Sequence, residues 1–267
     1  MGRDKPLQIL NSSFTEAAEH PIVVHVHGPS GIGKTTLLRQ FMTSVVENSS
    51  ALVFAGRCYE GETLPYQALD DLIDHVAQYL RRLPRDRCER FLPRNFSILA
   101  KMFPMLAPLL PADMRSVIGL NSVELRTGAL ASLRDLLGRM SEYHRVVLVI
   151  DDLQWGDMDG CAALKDLLNS VDAPPVLVVL ACRSEDLEVV ESLAQLSEGL
   201  AQGPNQGNIV IHLAHLDDSE SCELAMSLLR QSVSETTLSQ SSSRLPGIRF
   251  WSRKSSGGFR NAAPGRY

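Results

Sequence analysis

Apolar positions along the chain switch between two spacings: unbroken runs of strand length, and the three-to-four interval that turns one helix face toward a core. Leu7, Ile9, Leu10 and Phe14 predict a short amphipathic helix over 4–19, stopped by Pro21. "IVVHVH" (22–27) reads as a strand, and "TLLRQFMTSVVE" (36–47) as a helix after a glycine-rich turn. A second strand, "ALVFAGR" (51–57), precedes a helix from Pro65 whose Leu69, Leu72, Ile73, Val76 and Leu80 share one face. Prolines punctuate 83–120 and predict short helices packed on the side of the domain. A helix over 123–144 leads to "RVVLVI" (145–150), apolar almost throughout and so a strand covered on both faces. There follow a helix over 159–169, the strand "PVLVVLAC" (175–182), a helix over 186–201 and the strand "NIVIHL" (208–213). A last helix over 217–231 would be capped by Asp217 or Asp218. This alternation predicts an α/β fold, a five-stranded mainly parallel sheet with helices on both faces.

Composition changes that picture little. The chain is 44% hydrophobic and 21% charged, ordinary for a globular protein, and its net charge of −5 gives no general attraction to nucleic acid or acidic membranes. No apolar run reaches the roughly 18 residues of a membrane-spanning helix, and "MGRDKPLQIL" lacks the apolar core of a secretory signal. The five cysteines contain no C-x-x-C pair, which points to small buried hydrophobes in a reducing compartment rather than a zinc site. The expected location is the cytoplasm, with no membrane partner.

Chemistry enters at "GPSGIGKTT" (28–36), between the first strand and its helix. It fits G-x-x-x-x-G-K-[ST] through Gly28, Gly33, Lys34 and Thr35, in the strand-before, helix-after context that the pattern requires. Glycines let successive backbone N–H groups turn inward toward phosphate oxygens, at a helix N-terminus that also favours anions. Lys34 would reach the β- and γ-phosphates, and the Thr35 hydroxyl would ligate Mg²⁺. A glycine-rich turn with a chance lysine is the plain alternative, and the strand-to-helix context argues against it.

A P-loop needs an acid on a neighbouring strand for the magnesium shell, and "VLVIDD" (147–152) supplies one. Asp151 is expected to support the metal, although an acid pair alone would more often open a turn or cap a helix. Asp152 would orient or deprotonate the attacking water. Its arm is one methylene shorter than a glutamate's, which predicts slow turnover.

"GPSGIGKTTLLRQF", "GRCYEGETLPYQALDDLID", "VVLVIDDLQWGDMD" and "VLVVLACRSEDL" together resemble the AAA/STAND-type ATPase module, which is related to origin-recognition-like AAA proteins. Such modules occur in large LuxR-family regulators and in bacterial fusions to Ser/Thr kinases or cyclases. Even "GRDKPLQIL" resembles the box that opens them, and the resemblance runs from residue 2 to about 235. It implies a Walker A loop of Gly28, Pro29, Ser30, Gly31, Ile32, Gly33, Lys34, Thr35 and Thr36, with Asp151 and Asp152 as the Walker B acids. Arg183 matches the polar sensor of the γ-phosphate, at the strand ends where such sheets bind ligands. Trp155 matches the family's tryptophan, Arg57 and Glu60 get only supporting roles, and Gly160 stands where Ser or Thr is common. ATP and Mg²⁺ are the implied cofactors. A protein partner or fused effector, and a nucleotide-dependent oligomer, are the implied assemblies.

After Glu235 no acidic residue occurs, and 236–267 is rich in serine, glycine and arginine without periodicity. The expected organisation is a nucleotide-binding domain over 1–235 and a basic, disordered tail over 236–267. The codons of Arg244–Ser256, read from each third base, permit "SAGNPFLVEEVV", which resembles the family's lead into its C-terminal lid. That reading predicts a frameshift between about codons 236 and 243, a missing or aberrant lid and a truncated product. The expected function is an ATP-binding regulatory switch with slow hydrolysis. A remodelling or loading ATPase on protein or DNA and an inert remnant are the alternatives, and direct nucleic-acid binding by this domain is not expected.

Overall fold

A computed structural model describes residues 3–61, 65–111, 119–185 and 207–215. All lie in the first of the chain's two units, Met1–Leu228, and only that unit is described. Helix α1 (Asp4–Glu16), strand β1 (Ile22–Gly28), helix α2 (Lys34–Asn48), strand β2 (Leu52–Arg57) and helix α3 (Gln67–Arg82) follow in order. Short helices α4 (Arg85–Phe91) and α5 (Phe96–Met102) and a 3-10 segment over Pro104–Leu109 occupy the proline-punctuated stretch. Helix α6 (Ser122–Ser141), strand β3 (Val146–Asp151), helix α7 (Met158–Leu168), strand β4 (Val176–Arg183) and strand β5 (Asn208–His212) complete the described elements. The expected helices over 186–201 and 217–231, and the tail over 236–267, lie outside the described residues.

Among the described residues the five strands form one sheet in the order β2-β3-β4-β1-β5, with every neighbouring pair parallel. The α/β expectation is met. The unbroken apolar run of β3 has its reason in the two cores. Val147 and Val149 join Leu10 of α1 and Leu37, Leu38 and Phe41 of α2 on one face. Val146, Leu148 and Ile150 join Leu72 of α3, Leu133 of α6 and Leu164 of α7 on the other. Each fully buried side chain of this kind contributes about 1.5–3 kcal/mol relative to exposure, so both faces of β3 are strongly specified. No helix of the described residues is long and apolar enough to cross a membrane.

Helix α7 is capped by neither Asp151 nor Asp152. Its N-cap is Asp157, whose Oδ1 accepts a hydrogen bond from the Gly160 N–H at 2.7 Å. The same carboxylate takes the Tyr66 N–H at 2.9 Å and the Gln67 N–H at 2.8 Å, at the start of α3. One side chain thus holds two helix N-termini, where its charge also complements both macrodipoles. Gly160 contributes through its backbone, so a side-chain hydroxyl there is not needed for the contact. Asp157→Ala is expected to destabilise the fold by about 2–4 kcal/mol, from the lost cap and the loss of charge-assisted bonds. Urea unfolding midpoints check this.

Candidate nucleotide site

The glycine-rich loop joins the end of β1 to the first turn of α2 at the C-terminal edge of the sheet. Two glycines have specific reasons. A Cβ on Gly28 would lie 2.8 Å from Ile32 Cγ2 and 3.1 Å from the Leu213 carbonyl oxygen, so only hydrogen fits. Gly33, the N-cap of α2, sits at φ 101°, in the left-handed region that other residues rarely adopt. Lys34 is buried, and its Nζ donates to the carbonyls of Gly28 at 2.7 Å and Pro29 at 2.9 Å. The loop therefore closes around an ammonium group. Burial lowers the Lys34 pKa, while the charges of Asp152 and then Asp151 act against that shift. Ser30, Gly31 and Thr36 are exposed along the loop, and Pro29, Ile32 and Thr35 are half-buried. The Arg3 Nη2 donates to the Ile32 carbonyl at 3.0 Å, so the opening "GR" box clamps the loop from outside.

The parallel register brings the strand ends to the loop. Arg57 pairs beside Asp151 at the tips of β2 and β3, and Arg183 beside Gly28 at the tips of β4 and β1. Thr35 Oγ1 donates to Asp151 Oδ2 at 2.6 Å. Burial pushes the Asp151 carboxyl above its ordinary range, the Thr35 hydrogen bond opposes this, and the Asp152 charge adds to it. Asp152 adopts φ 55° and opens the 3-10 turn Leu153–Trp155. A left-handed aspartate is tolerable but uncommon, and such backbone concentrates at functional sites. Asp151 thus faces Thr35 while Asp152 makes the turn.

Both Asp152 oxygens are engaged. Oδ2 forms an ion pair with Arg57 Nη2, and Oδ1 accepts from Gln154 Nε2 at 3.1 Å. The Gln154 Oε1 accepts from the Arg183 N–H at 3.2 Å, and the Arg183 guanidinium lies 5.5 Å from the centroid of the Trp155 ring. Trp155 is therefore more than filler, since a cation over an indole face is held there. The sequence gives Arg57 only a supporting role and Gln154 none. Their partners are remote in the chain, and the only local sign is an amide two residues after the acid.

The model of the AAA ATPase domain family matches residues 1–179. The chain belongs to this family. It is accordingly a nucleotide-binding, ATP-using P-loop module. Cdc6p from Pyrobaculum aerophilum is 16% identical at a TM-score of 0.50, covering 86% of this chain and 49% of that one. The Aeropyrum pernix ORC1 protein, solved in complex with DNA, is 15% identical at a TM-score of 0.46, covering 86% and 49%. A STAND protein with a tetratricopeptide repeat sensor from Pyrococcus horikoshii is 13% identical at 0.45, covering 85% and 26%. This AAA ATPase chain thus spans about half the length of the Cdc6p it matches, and 26% of the STAND protein. No curated protein matches it.

The donor set fits the family's usual metal. Thr35 Oγ1 and Asp151 Oδ2 are hard oxygens 2.6 Å apart, a donor type that Mg²⁺ accepts. Behind the loop, β1 carries two histidines within its apolar run. The His25 and His27 rings lie 6.1 Å apart, and His27 is 5.6 Å from His212 of β5 and donates to or accepts from Cys182 Sγ at 3.1 Å. Burial, then the His27 charge, lowers the His25 pKa to about 4, against a hydrogen bond with Asn208. Because the unfolded chain titrates near 6.5 and the folded one near 4, the unfolded state binds the extra proton between those values. Stability is therefore expected to fall by about 3 kcal/mol as the pH drops through that window. His25→Leu should show a smaller acid loss in urea titrations at pH 7 and about pH 4.5.

Proposed function

We propose that this AAA ATPase module binds Mg·ATP across the C-terminal edge of its sheet and acts as a slowly hydrolysing regulatory switch for a partner or fused module. One observation carries the reading: the acid best placed to activate water has its Oδ2 tied up in an ion pair with Arg57, while Gln154 fixes the orientation of the same carboxylate. In this reading the loop amides of 28–36 bind phosphate oxygens, and Lys34 exchanges its two carbonyl partners for the β- and γ-phosphates. Thr35 and Asp151 hold the magnesium, which when bound neutralises phosphate charge. Arg183, held against the Trp155 ring, senses the γ-phosphate, and Asp152 receives the proton of the attacking water once Arg57 releases it. Adenine selectivity comes from the family. The test measures melting temperature and phosphate release with and without millimolar Mg·ATP. A clear rise with release far below about 1 s⁻¹ supports the switch. Release well above that rate would replace it with a motor, and an unmoved melting temperature would leave an inert remnant.

A further inference from the structure

Between the strand tips the Walker-type contacts leave a buried polar side chain, Gln154, without a role. Gln154 is 6% exposed, yet it ligates nothing expected of the nucleotide site and lies in a 3-10 turn of only three residues. Its amide is used at both ends. The NH₂ group donates to Asp152 Oδ1 at 3.1 Å, and the carbonyl accepts from the Arg183 backbone N–H at 3.2 Å. The next residue, Trp155, holds the Arg183 guanidinium over its ring. A chain of polar contacts therefore runs from Arg57 on β2, through Asp152 at the tip of β3, through Gln154, to Arg183 on β4.

A buried amide of this kind is costly unless both ends are satisfied, and here both are. Satisfied, it fixes two things at once. The Asp152 carboxylate cannot rotate without breaking the bond to Gln154. The backbone carrying Arg183 cannot withdraw without breaking the other. We propose that Gln154 is a positioning residue that couples Asp152 to Arg183, so that γ-phosphate sensed at Arg183 and water activation at Asp152 change together. This rests on the switch reading of the site above. Both ends of the Gln154 amide are taken by protein groups.

The contact chemistry dictates the variants. Gln154→Met keeps length and apolar volume but removes both donor and acceptor. Gln154→His restores one donor and one acceptor when its ring is neutral, at about pH 8. Gln154→Glu keeps the acceptor for the Arg183 N–H and sets a second carboxylate against Asp152. Trp155 and Trp251 are the two tryptophans of the chain, so a Trp251→Phe background makes Trp155 fluorescence a reporter of the Arg183 contact.

Turnover, KM and Trp155 fluorescence with Mg·ATP and Mg·ADP are measured for each protein. We expect Gln154→Met to lose about 10-fold to 100-fold in kcat with KM changed less than about threefold. We expect Gln154→His to recover most of that loss, and Gln154→Glu to recover none. The wild-type fluorescence should distinguish ATP from ADP, and Gln154→Met should not. A Gln154→Met protein with wild-type turnover overturns the coupling. So does one that keeps the wild-type ATP–ADP difference in fluorescence, and this second readout decides the matter even where turnover is too slow to measure. A wild-type protein whose melting temperature and fluorescence ignore both nucleotides rejects the nucleotide-switch reading itself, and the coupling with it.

Discussion

Lys34→Ala is expected to erase nucleotide-dependent stabilisation of the protein. The wild type at a ligand concentration 100 times Kd should gain about 2.7 kcal/mol, which for a domain of this size raises Tm by roughly 5–10 °C. Removing a charge-assisted hydrogen bond costs about 1.5–3 kcal/mol, and Lys34 would make such bonds to two phosphates. An affinity loss of about 100-fold brings the same ligand concentration down to Kd, where the gain is about 0.4 kcal/mol and the shift close to 1 °C. The ligand-free protein should melt almost unchanged. Two hydrogen bonds, to Gly28 and Pro29, are lost, but a buried ammonium is removed with them. Thermal melts with and without Mg·ATP check both halves, and a variant that keeps the wild-type shift would remove Lys34 from phosphate binding.

Asp152→Asn should cut kcat by about 100-fold or more while leaving Mg·ATP affinity within a few-fold, because a general base contributes on that scale. The amide retains the geometry: its oxygen can still accept from Arg57 or Gln154, so the loss reports on charge and proton acceptance. Arg57→Gln should move the other way and raise turnover, since it frees Oδ2 of Asp152 from its ion pair. The two variants together separate a brake from a missing base. Equal turnover in wild type and Asp152→Asn would take Asp152 out of the chemistry.

The strands and the phosphate loop were legible because their causes are local. Five apolar residues in a row before Asp151 need two covered faces, and the structure supplies α1 and α2 on one and α3, α6 and α7 on the other. The loop was legible because glycine at φ 101° and a lysine in the first helical turn leave a fixed spacing. The rest depends on contacts between remote parts of the chain. Asp157 serves Tyr66 and Gln67 across about ninety positions, and no periodicity marks it. Asp151 and Asp152 drew the capping alternative because they stand nearer the strand. Arg57 reads as a strand's last charge, and only the β2–β3 register puts it beside the acids. His25 and His27 pass as polar interruptions in a strand until the parallel partner β5 places His212 next to them.

The carboxylate shared by α3 and α7 also has a mechanical side. Asp157 follows the Asp152 turn by five positions and grips the base of a 16-residue helix, about 24 Å long. A tilt of only about 5° at that base would swing the far end of α3 by about 2 Å. A sub-ångström displacement of Asp157 would therefore be magnified along α3, whose far end is where it would be felt.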